Sequence, residues 1–426
     1  MHSIRAMILA GAALPAIVGF VASLTGCEQK VQQYKPESAA NGGPEDPAIL
    51  AVERIGGSCF RASSFREDSI PPPWLAEVKG DPVVSVSIGY RPVAASDISK
   101  IALLKELREL SLFKTALTDS EIKEIAPLIN LWKLDLTYNP VTGKGLKYLS
   151  PLVQLRELDL GGTQVTAADL KYLAPFRHLQ RLNLGNTPVE ASGLGDLASL
   201  PELRKVSLYG SRVADAGLTE LARLQQIEEL DLGYTRVTDA GIKSLTQLRR
   251  LRKLDLSGTQ VTDAGIKELI VLKGLRELHL SDTQITDVSM RDLRSLSDMQ
   301  ILRLMNTRVT DAGVKELRGL SGLCELTLRR TAITGATLGE LRANTKLVSL
   351  DIGETKLTDK EMHEVAALKA LRTLDIHDTK VSDAGIAELL AIPHLKSVNA
   401  INTNVTDRGV EKVERSIPGC LVDIRT

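Results

Sequence analysis

Apolar residues recur in this chain at fixed places within a repeating unit of constant length. One period shows the seven places, which are Leu251, Leu254, Leu256, Val261, Ile266, Leu269 and Leu272. The first three indicate a short strand with alternate side chains turned inward. The last three recur every third residue, which is the spacing of one face of a helix or a 3₁₀ segment. Each period therefore predicts a short strand followed by a short helical segment.

A threonine follows the strand in most periods, and we take it as the anchor of each repeat. The thirteen anchors keep a constant 24-residue spacing without an insertion: Thr115, Asn139, Thr163, Thr187, Ser211, Thr235, Thr259, Thr283, Thr307, Thr331, Thr355, Thr379 and Thr403. A degenerate unit over residues 83–91 precedes them, and a last strand with Val422 and Ile424 follows them. Units of this size stack on their neighbours and bury one continuous core. The chain is therefore predicted to be a solenoid.

The segment after the anchor often has the sequence Thr-Asp-Ala-Gly, which is typical of a helix start. In the period described above, Thr262 or Asp263 is the expected N-cap. The aspartate recurs at this place as Asp119, Asp215, Asp239, Asp263, Asp287, Asp311, Asp359, Asp383 and Asp407. A helix N-terminus favours such an anion through its dipole as well as through hydrogen bonding. The anchor hydroxyl, which can donate and accept, is expected to satisfy backbone groups of the tight turn.

Together these positions give the pattern Leu-x-x-Leu-x-Leu-x-x-(Asn/Thr)-x-Val-Thr-Asp-Ala-Gly-Leu over residues 83–424. The pattern resembles the leucine-rich repeat, in the 24-residue form found in bacterial repeat lipoproteins. The resemblance implies an α/β leucine-rich-repeat solenoid, a horseshoe with parallel strands on the concave face and short helices on the convex face. This chain departs from the pattern by having threonine where many relatives have asparagine.

Residues 1–26 differ in character from the repeats. The start is weakly basic, residues 6–21 are apolar and small, and Leu24-Thr25-Gly26-Cys27 follows. These features predict a secretory signal peptide over residues 1–26. The last four residues also resemble the lipobox of bacterial lipoproteins, which implies cleavage before Cys27 and acylation of Cys27 as a lipid anchor. An ordinary cleaved signal with a chance cysteine is the alternative.

Three further regions complete the predicted organisation. Residues 27–46 are polar and almost free of apolar side chains, so they are predicted to be a flexible tether. Residues 47–82 are predicted to be an N-terminal cap, because an open solenoid end exposes core side chains. Residues 83–426 form the predicted repeat array with its terminal strand.

Within the predicted cap, residues 47–55 have the pattern of a short amphipathic helix, which two glycines would end. Residues 58–62 are expected to form a strand. Residues 63–81 are expected to be irregular, with three consecutive prolines stiffening the path toward Trp74.

Composition narrows the range of partners. Of the 426 residues, 53 are Lys or Arg and 53 are Asp or Glu. No net field therefore draws the chain to nucleic acid or to an anionic membrane surface. Cys59, Cys324 and Cys420 lie in distant units and are expected to form no disulfide. Membrane contact is expected through the lipid anchor only, which places the protein in the cell envelope, on a periplasmic or extracellular face.

The sequence contains no signature of catalysis. The six histidines show no zinc-binding pair, Cys-x-x-Cys is absent, and the glycines follow the repeat turn and not a phosphate loop. Without an insertion, the array offers no loop to close over a substrate. We therefore expect no enzyme, no cofactor and no metal site.

The repeat pattern also places two charged rows near the outer face of the predicted strands. Four residues before the anchor stand mostly acidic or polar side chains, including Asp135, Asp159 and Asp231. Seven residues before the anchor stand basic side chains in many units, among them Arg156 and Arg204. Two interpretations remain open: the rows neutralise each other within the stack, or they form a polar recognition stripe.

Aromatic residues make up only 3% of the chain. Five of them stand one or two residues before an anchor: Tyr90, Phe113, Tyr138, Tyr209 and Tyr234. Partly exposed tyrosine and phenylalanine are favoured in protein interfaces, and covering the turn is the alternative role. The predicted binding site lies on the N-terminal half of the concave face and comprises Phe113, Asp135, Tyr138, Asp159, Tyr209, Asp231 and Tyr234.

These features predict a non-catalytic scaffold that binds a protein or glycan partner through its concave face. One alternative is an adhesin-like structural spacer at the cell surface, in the manner of the internalins. Another is a substrate-receptor subunit resembling leucine-rich-repeat F-box proteins. The predicted signal peptide argues against that alternative, and so does the lack of an F-box-like helical region in the sequence.

Overall fold

The computed structural model describes residues 46–66 and 71–425, which belong to one compact unit. The predicted signal peptide, Cys27 and the predicted tether up to residue 45 lie outside the described residues. None of the described helices combines the length and the apolar character that a membrane-spanning segment requires.

Sixteen strands of the described chain form one sheet, in the order in which they occur in the sequence. They are β1 (Ser58–Arg61), β2 (Val83–Gly89), β3 (Glu109–Phe113), β4 (Lys133–Asp135), β5 (Glu157–Asp159), β6 (Arg181–Asn183), β7 (Lys205–Ser207), β8 (Glu229–Asp231), β9 (Lys253–Asp255), β10 (Glu277–His279), β11 (Ile301–Arg303), β12 (Glu325–Thr327), β13 (Ser349–Asp351), β14 (Thr373–Asp375), β15 (Ser397–Asn399) and β16 (Leu421–Asp423). β1 pairs antiparallel with β2, and the later neighbours pair in parallel. Leu254 lies beside Leu230 and Leu278, so the register follows the repeat length.

Helical segments connect the strands on the other side of the core. The α-helices are Pro47–Arg54, Ala62–Arg66, Ala95–Ile101, Asp119–Ile122, Gly143–Tyr148, Asp215–Leu221, Asp239–Leu245, Asp263–Leu269, Asp287–Leu293, Asp311–Glu316, Met362–Ala366, Asp383–Ile386 and Asp407–Ser416. The 3₁₀ segments are Pro73–Glu77, Lys123–Ile125, Ala167–Leu173, Leu194–Ser199, Leu317–Gly319, Leu338–Ala343, Asp359–Glu361 and Ala387–Ala391. The prediction of a strand followed by a helix or a 3₁₀ segment is confirmed.

The apolar places of the repeat point into one core that continues from Ala48 to Val422. In the unit of Thr259, all seven of these side chains are buried, with exposed fractions of 2% or less. Thr259 is buried beside them, and its Oγ1 donates to the carbonyl oxygen of Leu256 at 2.6 Å. The same bond is made by Thr163 and Thr235 in their units. The anchor hydroxyl therefore satisfies a backbone group of the turn, as expected.

The packing distances of strands and helices place the sheet on the concave side of the stack, as the resemblance to the leucine-rich repeat implies. Neighbouring strands are about 4.8 Å apart, whereas packed helices need about 8–10 Å between their axes. Because both layers belong to the same units, the stack bends toward the layer with the closer spacing. The solvent-facing side of the sheet is called the concave face below.

The N-terminal part of the unit contains more structure than the sequence predicts. The helix and strand expected there are present as Pro47–Arg54 and β1. The stretch expected to be irregular contains two short helical segments instead. These segments bring Phe65 and Trp74 into edge-to-face contact, with ring centroids 5.3 Å apart. Trp74 is buried in a small apolar cluster with Val84 of β2, and this packing orders the segment.

The repeating aspartate joins two units. Of the two expected N-caps, the threonine is the correct one, because the Thr262 hydroxyl accepts from the N–H of Ala264. The carboxylate of Asp239, in the preceding unit, accepts from Thr262 N at 2.7 Å and from Thr262 Oγ1 at 2.6 Å. It also accepts from Gly265 N at 3.0 Å. A Cβ at Gly265 would stand 2.5 Å from this carboxylate, which explains the glycine of the Thr-Asp-Ala-Gly sequence.

We call this contact the aspartate bridge. Among the described residues it links a carboxylate to the threonine or serine three residues after the next anchor in eight places, from Asp119, Asp215, Asp239, Asp263, Asp287, Asp311, Asp359 and Asp383. The expectation that this aspartate acts as a cap of its own helix is therefore wrong. The carboxylate turns instead to the N–H and hydroxyl donors that the next unit presents.

Candidate binding surface on the concave face

Three side chains of each unit face outward on the concave face, and they stand six, four and two residues before the anchor. The residues between them, such as Leu134 and Leu136, are buried. A groove with a volume of about 400 Å³ lies on this face and extends from β4 to β9. Its lining includes Asp135, Asp159 and Asp231, which belong to the partner-binding site predicted from the sequence.

The aspartates of the groove are half-buried and hold local hydrogen bonds. Asp231 accepts from Gly233 N at 3.0 Å and from Ser207 Oγ at 2.8 Å. Asp135 and Asp159 likewise accept one backbone N–H of their own turn and one polar side chain of a neighbouring unit. Burial raises the pKa of Asp231, although the bond from Gly233 opposes this. These bonds hold the carboxylates as a fixed row of acceptors on the floor of the groove.

A second charged row crosses the groove, and sequence reasoning missed it. Six residues before the anchors stand Lys133, Glu157, Arg181, Lys205, Glu229, Lys253 and Glu277. Glu157 lies 3.7 Å from Lys133 and 3.3 Å from Arg181, so opposite charges pair across neighbouring strands. The signal was available in the sequence, because charges of both signs recur at this place with the repeat spacing.

The basic side chains seven residues before the anchors contact residues outside the acidic row. Arg156 lies over the ring of Trp132, 4.1 Å from its centroid. Arg204 pairs with Glu228 at 3.3 Å. Trp132 and Glu228 also stand seven residues before their own anchors, one unit away from Arg156 and Arg204. Side chains of this row therefore contact each other, because the row lies just before the strands. Of the two interpretations left open, neutralisation of the acidic row by these arginines is not what the structure has, because Arg156 and Arg204 contact other residues and the acidic row is held by hydrogen bonds.

The five aromatic residues form two stacks along the edge at which the strands end. Phe113 contacts Tyr90 and Tyr138 edge to face, with centroid distances of 5.0 and 5.7 Å. Tyr209 and Tyr234 form the second stack, with centroids 5.3 Å apart. The four tyrosines are between 40% and 74% exposed. The structure therefore brings the predicted aromatic residues together in two groups beside the groove.

Tyrosine has a left-handed backbone conformation where it directly precedes an anchor. The φ angle is 56° at Tyr138 and 55° at Tyr234. Most other units have glycine, asparagine or aspartate at this place, as at Gly162 and Asn306, and these residues adopt the left-handed region more readily than bulky ones. Lys114, Arg330 and Glu354 also adopt it, so the turn accepts several residue types. The region costs an ordinary side chain about 1–2 kcal/mol. The turn itself therefore does not require tyrosine.

Each of these rings also covers part of the next turn. A Cβ at Gly162 would stand 2.5 Å from the Tyr138 ring, and a Cβ at Gly258 would stand 2.6 Å from the Tyr234 ring. The hydroxyl of Tyr234 donates to Asp282 at 2.6 Å, and this hydrogen bond raises the pKa of Tyr234. One face of each ring thus packs on the turn while a large part of the side chain remains exposed.

The arrangement offers a partner hydrogen-bond acceptors, paired charges and aromatic surface on one side of the molecule. The acceptors and the charges lie in the groove, and the rings lie along its edge. These are the components of a recognition surface, with a polar floor and aromatic anchors.

Comparison with known proteins agrees with this architecture. A family model described as a leucine-rich repeat region matches residues 149–417, and a leucine-rich-repeat model matches residues 129–150. An internalin of Listeria monocytogenes, at 19% identity, aligns over 89% of this chain and 98% of its own chain with a TM-score of 0.53. A leucine-rich-repeat protein of Leptospira interrogans, at 20% identity, aligns over 90% of this chain and 100% of its own with a TM-score of 0.57. A search of curated protein sequences found no match.

At these identities the two structures show a common fold. The first family model, however, covers more than half of the 426 residues. It covers most of the array in which the strands, the anchors and the aspartate bridges recur. The chain therefore belongs to the leucine-rich-repeat family.

Proposed function

We propose that this chain is a non-catalytic scaffold that binds a protein partner along the N-terminal half of its concave face. The contact would involve Phe113 and the four tyrosines at the edge, and the carboxylates of the groove. Leucine-rich-repeat proteins are typically non-enzymatic binding scaffolds. The strands from the unit of Thr115 to that of Thr235 span about 25 Å, taking about 4.8 Å per strand. That width suits one side of a standard protein–protein contact.

The exposed aromatic rings beside the groove carry this proposal. Tyr138 and Tyr234 are each 50% exposed, at a left-handed turn position that eight of the other eleven units give to glycine, asparagine or aspartate. A half-exposed aromatic ring at a place where the turn does not require one points to a role in binding. The mixed charges of the groove favour a protein over an uncharged glycan, because a protein surface presents both signs.

The test compares binding and stability in the variant Tyr138→Asn/Tyr234→Asn. A photoreactive residue at position 209 first captures the partner from intact membranes. The affinity of the purified partner is then measured by titration calorimetry. Loss of both rings should weaken binding by about 2 kcal/mol or more, which is about 30-fold. The melting temperature should stay the same or rise, because asparagine tolerates the left-handed turn.

Tyr148 provides the matched control. It is 47% exposed, and it lies on the helix Gly143–Tyr148, away from the concave face. Tyr148→Asn should leave the affinity unchanged. Phe113→Ala, which removes the centre of the first aromatic stack, should weaken binding. Unchanged affinity in the concave variants, together with loss of binding in Arg329→Glu, would move the site to the C-terminal half. A protein that crosslinks nowhere on the concave face would favour the structural spacer.

The proposal also places the scaffold in the cell envelope, held by acylated Cys27 on a membrane. The lipobox-like sequence Leu24-Thr25-Gly26-Cys27 supports this part. The polar residues that follow Cys27 would let the array reach a partner at some distance from the bilayer.

A further inference from the structure

Two aspartates and a histidine converge on the concave face outside the proposed docking half. Asp351 and Asp375 are directly paired residues of β13 and β14, and His377 lies two residues beyond Asp375. One ligand atom from each side chain lies within 4.8 Å of the other two. Among residues 46–66 and 71–425, no other group of three His, Cys, Asp or Glu side chains converges in this way. We propose that Asp351, Asp375 and His377 form a binding site for a divalent transition-metal ion of the Zn²⁺ type.

The repeat geometry prepares the space for this group. The places four and two residues before the anchors of two neighbouring units form a square on the concave face. Three corners have Asp351, Asp375 and His377, and the fourth has Gly353. A Cβ at Gly353 would stand 2.3 Å from Nδ1 of His377, so only a glycine leaves room for this imidazole. Asp375 and His377 are 5% and 8% exposed, which limits their freedom to turn away.

The charges around the group differ from those around the other histidine of the concave face. His279 contacts Asp255 at 2.9 Å, and Lys253 stands on the same strand as that aspartate. At the place of Lys253, the strands of Asp351 and Asp375 have Ser349 and Thr373. The proposed group therefore has no lysine on its own two strands, and the charged side chain of opposite sign that acts on it is Arg329 of the preceding unit.

A further carboxylate adds to the negative charge. Glu354 Oε1 lies 3.7 Å from Nε2 of His377. The same oxygen accepts from Nε of Arg329 at 2.7 Å, so this arginine is engaged with Glu354. Asp351 accepts the N–H of Gly353 at 3.1 Å, which fixes one of its oxygens in the turn.

The donor set determines which cation fits. Two carboxylate oxygens and one imidazole nitrogen suit Zn²⁺ or Mn²⁺, whereas Ca²⁺ is bound by oxygen ligands alone. Nδ1 of His377 and Oδ1 of Asp375 are 2.5 Å apart and form a hydrogen bond. A cation bound by both atoms would replace this hydrogen bond. Three protein ligands leave further coordination positions for water or for a group of a bound partner.

The test titrates Zn²⁺ into the purified full chain and into three single variants. The variants Asp351→Asn and His377→Gln each remove one ligand, and Gly353→Ala displaces the imidazole without removing any ligand. By calorimetry, we expect the unaltered chain to bind one equivalent of Zn²⁺ with high affinity. Each variant should bind Zn²⁺ about tenfold more weakly or worse, because even mutation of a residue that only supports a metal ligand causes a loss of this size. Mn²⁺ should also bind, and Ca²⁺ should not compete.

Two variants in other units serve as controls. His279→Gln removes the other concave histidine, and Gly161→Ala adds a Cβ at the place that corresponds to Gly353. Both should bind Zn²⁺ like the unaltered chain. Melting temperatures measured without metal identify any variant that fails to fold. The two remaining variants of the proposed site then decide whether its residues bind Zn²⁺. The proposal is overturned if the unaltered chain binds no Zn²⁺ at millimolar concentration, or if folded ligand variants bind it as tightly as the unaltered chain does.

Discussion

Asn344 occupies a core position at which the preceding unit has Leu320. Its Nδ2 donates to the carbonyl oxygens of Leu317 and Leu320, at 3.1 and 2.7 Å. Its Oδ1 is buried without a hydrogen-bond partner. A buried acceptor that has lost its water and gained no donor destabilises the folded state by about 1–3 kcal/mol. The unsatisfied oxygen therefore makes this layer a weak point of the core.

Replacement of Asn344 by leucine should raise the free energy of unfolding by about 1–3 kcal/mol, because it removes the unsatisfied oxygen and fills the position as in other units. The carbonyl oxygens that now accept from Asn344 also accept backbone N–H groups, so they remain satisfied. Urea unfolding measures the change. The reciprocal variant Leu320→Asn should lower stability, and a destabilised Asn344→Leu chain would contradict this account.

Among the elements, the aspartate bridge has the clearest energetic role, and it is not uniform along the array. It is continuous from the unit of Asp215 to that of Asp311. At the corresponding place, units that lack the aspartate have Gly143, Ala167, Ala191 or Gly335. Stability in a solenoid is approximately a sum of unit and neighbour contributions. The bridged central units are therefore expected to open less readily than their neighbours.

Asp263→Ala should destabilise the chain by about 1–3 kcal/mol, because donors of the next unit lose their acceptor. Burial raises the pKa of Asp263, but bonds from Ser289 and Thr286 outweigh it, so the net shift is downward. A lowered folded-state pKa gives stability that is present above the unfolded value of about 4 and is lost as pH falls through the folded value. Urea unfolding at neutral and acidic pH should therefore show a smaller effect of the mutation in acid.

Asp407→Ala is the control for this measurement. Asp407 stands at the same place in the last unit, where no cap follows, and its side chain is 81% exposed. It has its own helix N-terminus and the exposed Arg425, 3.9 Å away, as neighbours, so its loss should change stability by about a few tenths of a kcal/mol. Equal effects of the two mutations would show that the bridge adds nothing.

The aspartate shows why sequence reasoning reached the elements but not all their contacts. Within one period, an acid after a threonine has the pattern of a helix cap. Its real partners are 23 residues ahead, at Thr286 for Asp263. The group of Asp351, Asp375 and His377 was missed for the same reason, because Asp351 and His377 belong to different repeat units and form no local motif. Both contacts become visible only when neighbouring units are placed in register.

At the scale of the molecule, the fold was predictable because one rule, the constant length of the repeat, holds without interruption from Thr115 to Thr403. That rule fixed the core, the strand order and the outward positions. It did not predict the order within residues 63–81, where Phe65 and Trp74 pack outside the repeat pattern. The constant repeat length also did not predict which outward-facing charges pair, because pairing depends on how far side chains reach across neighbouring strands.

Attachment to a membrane is a separate prediction. Cys27→Ala should release the chain from the membrane fraction or leave it unprocessed, because acylation at this cysteine provides the proposed anchor. More than one acyl chain is needed for stable anchoring. Fractionation followed by mass determination of the N-terminal peptide measures both outcomes. A cleaved Cys27→Ala chain that stays membrane-bound would refute the anchor.

The aspartate bridge has one direction, and this bears on how the protein is made. In all eight described cases the acceptor belongs to the earlier unit and the donors to the later one. A ribosome releases the chain from its N-terminus, so the earlier of two neighbouring units leaves it first. The donors of each bridge therefore emerge after the carboxylate that accepts from them. At each of the eight bridges, the earlier unit can act as a template for its successor during synthesis.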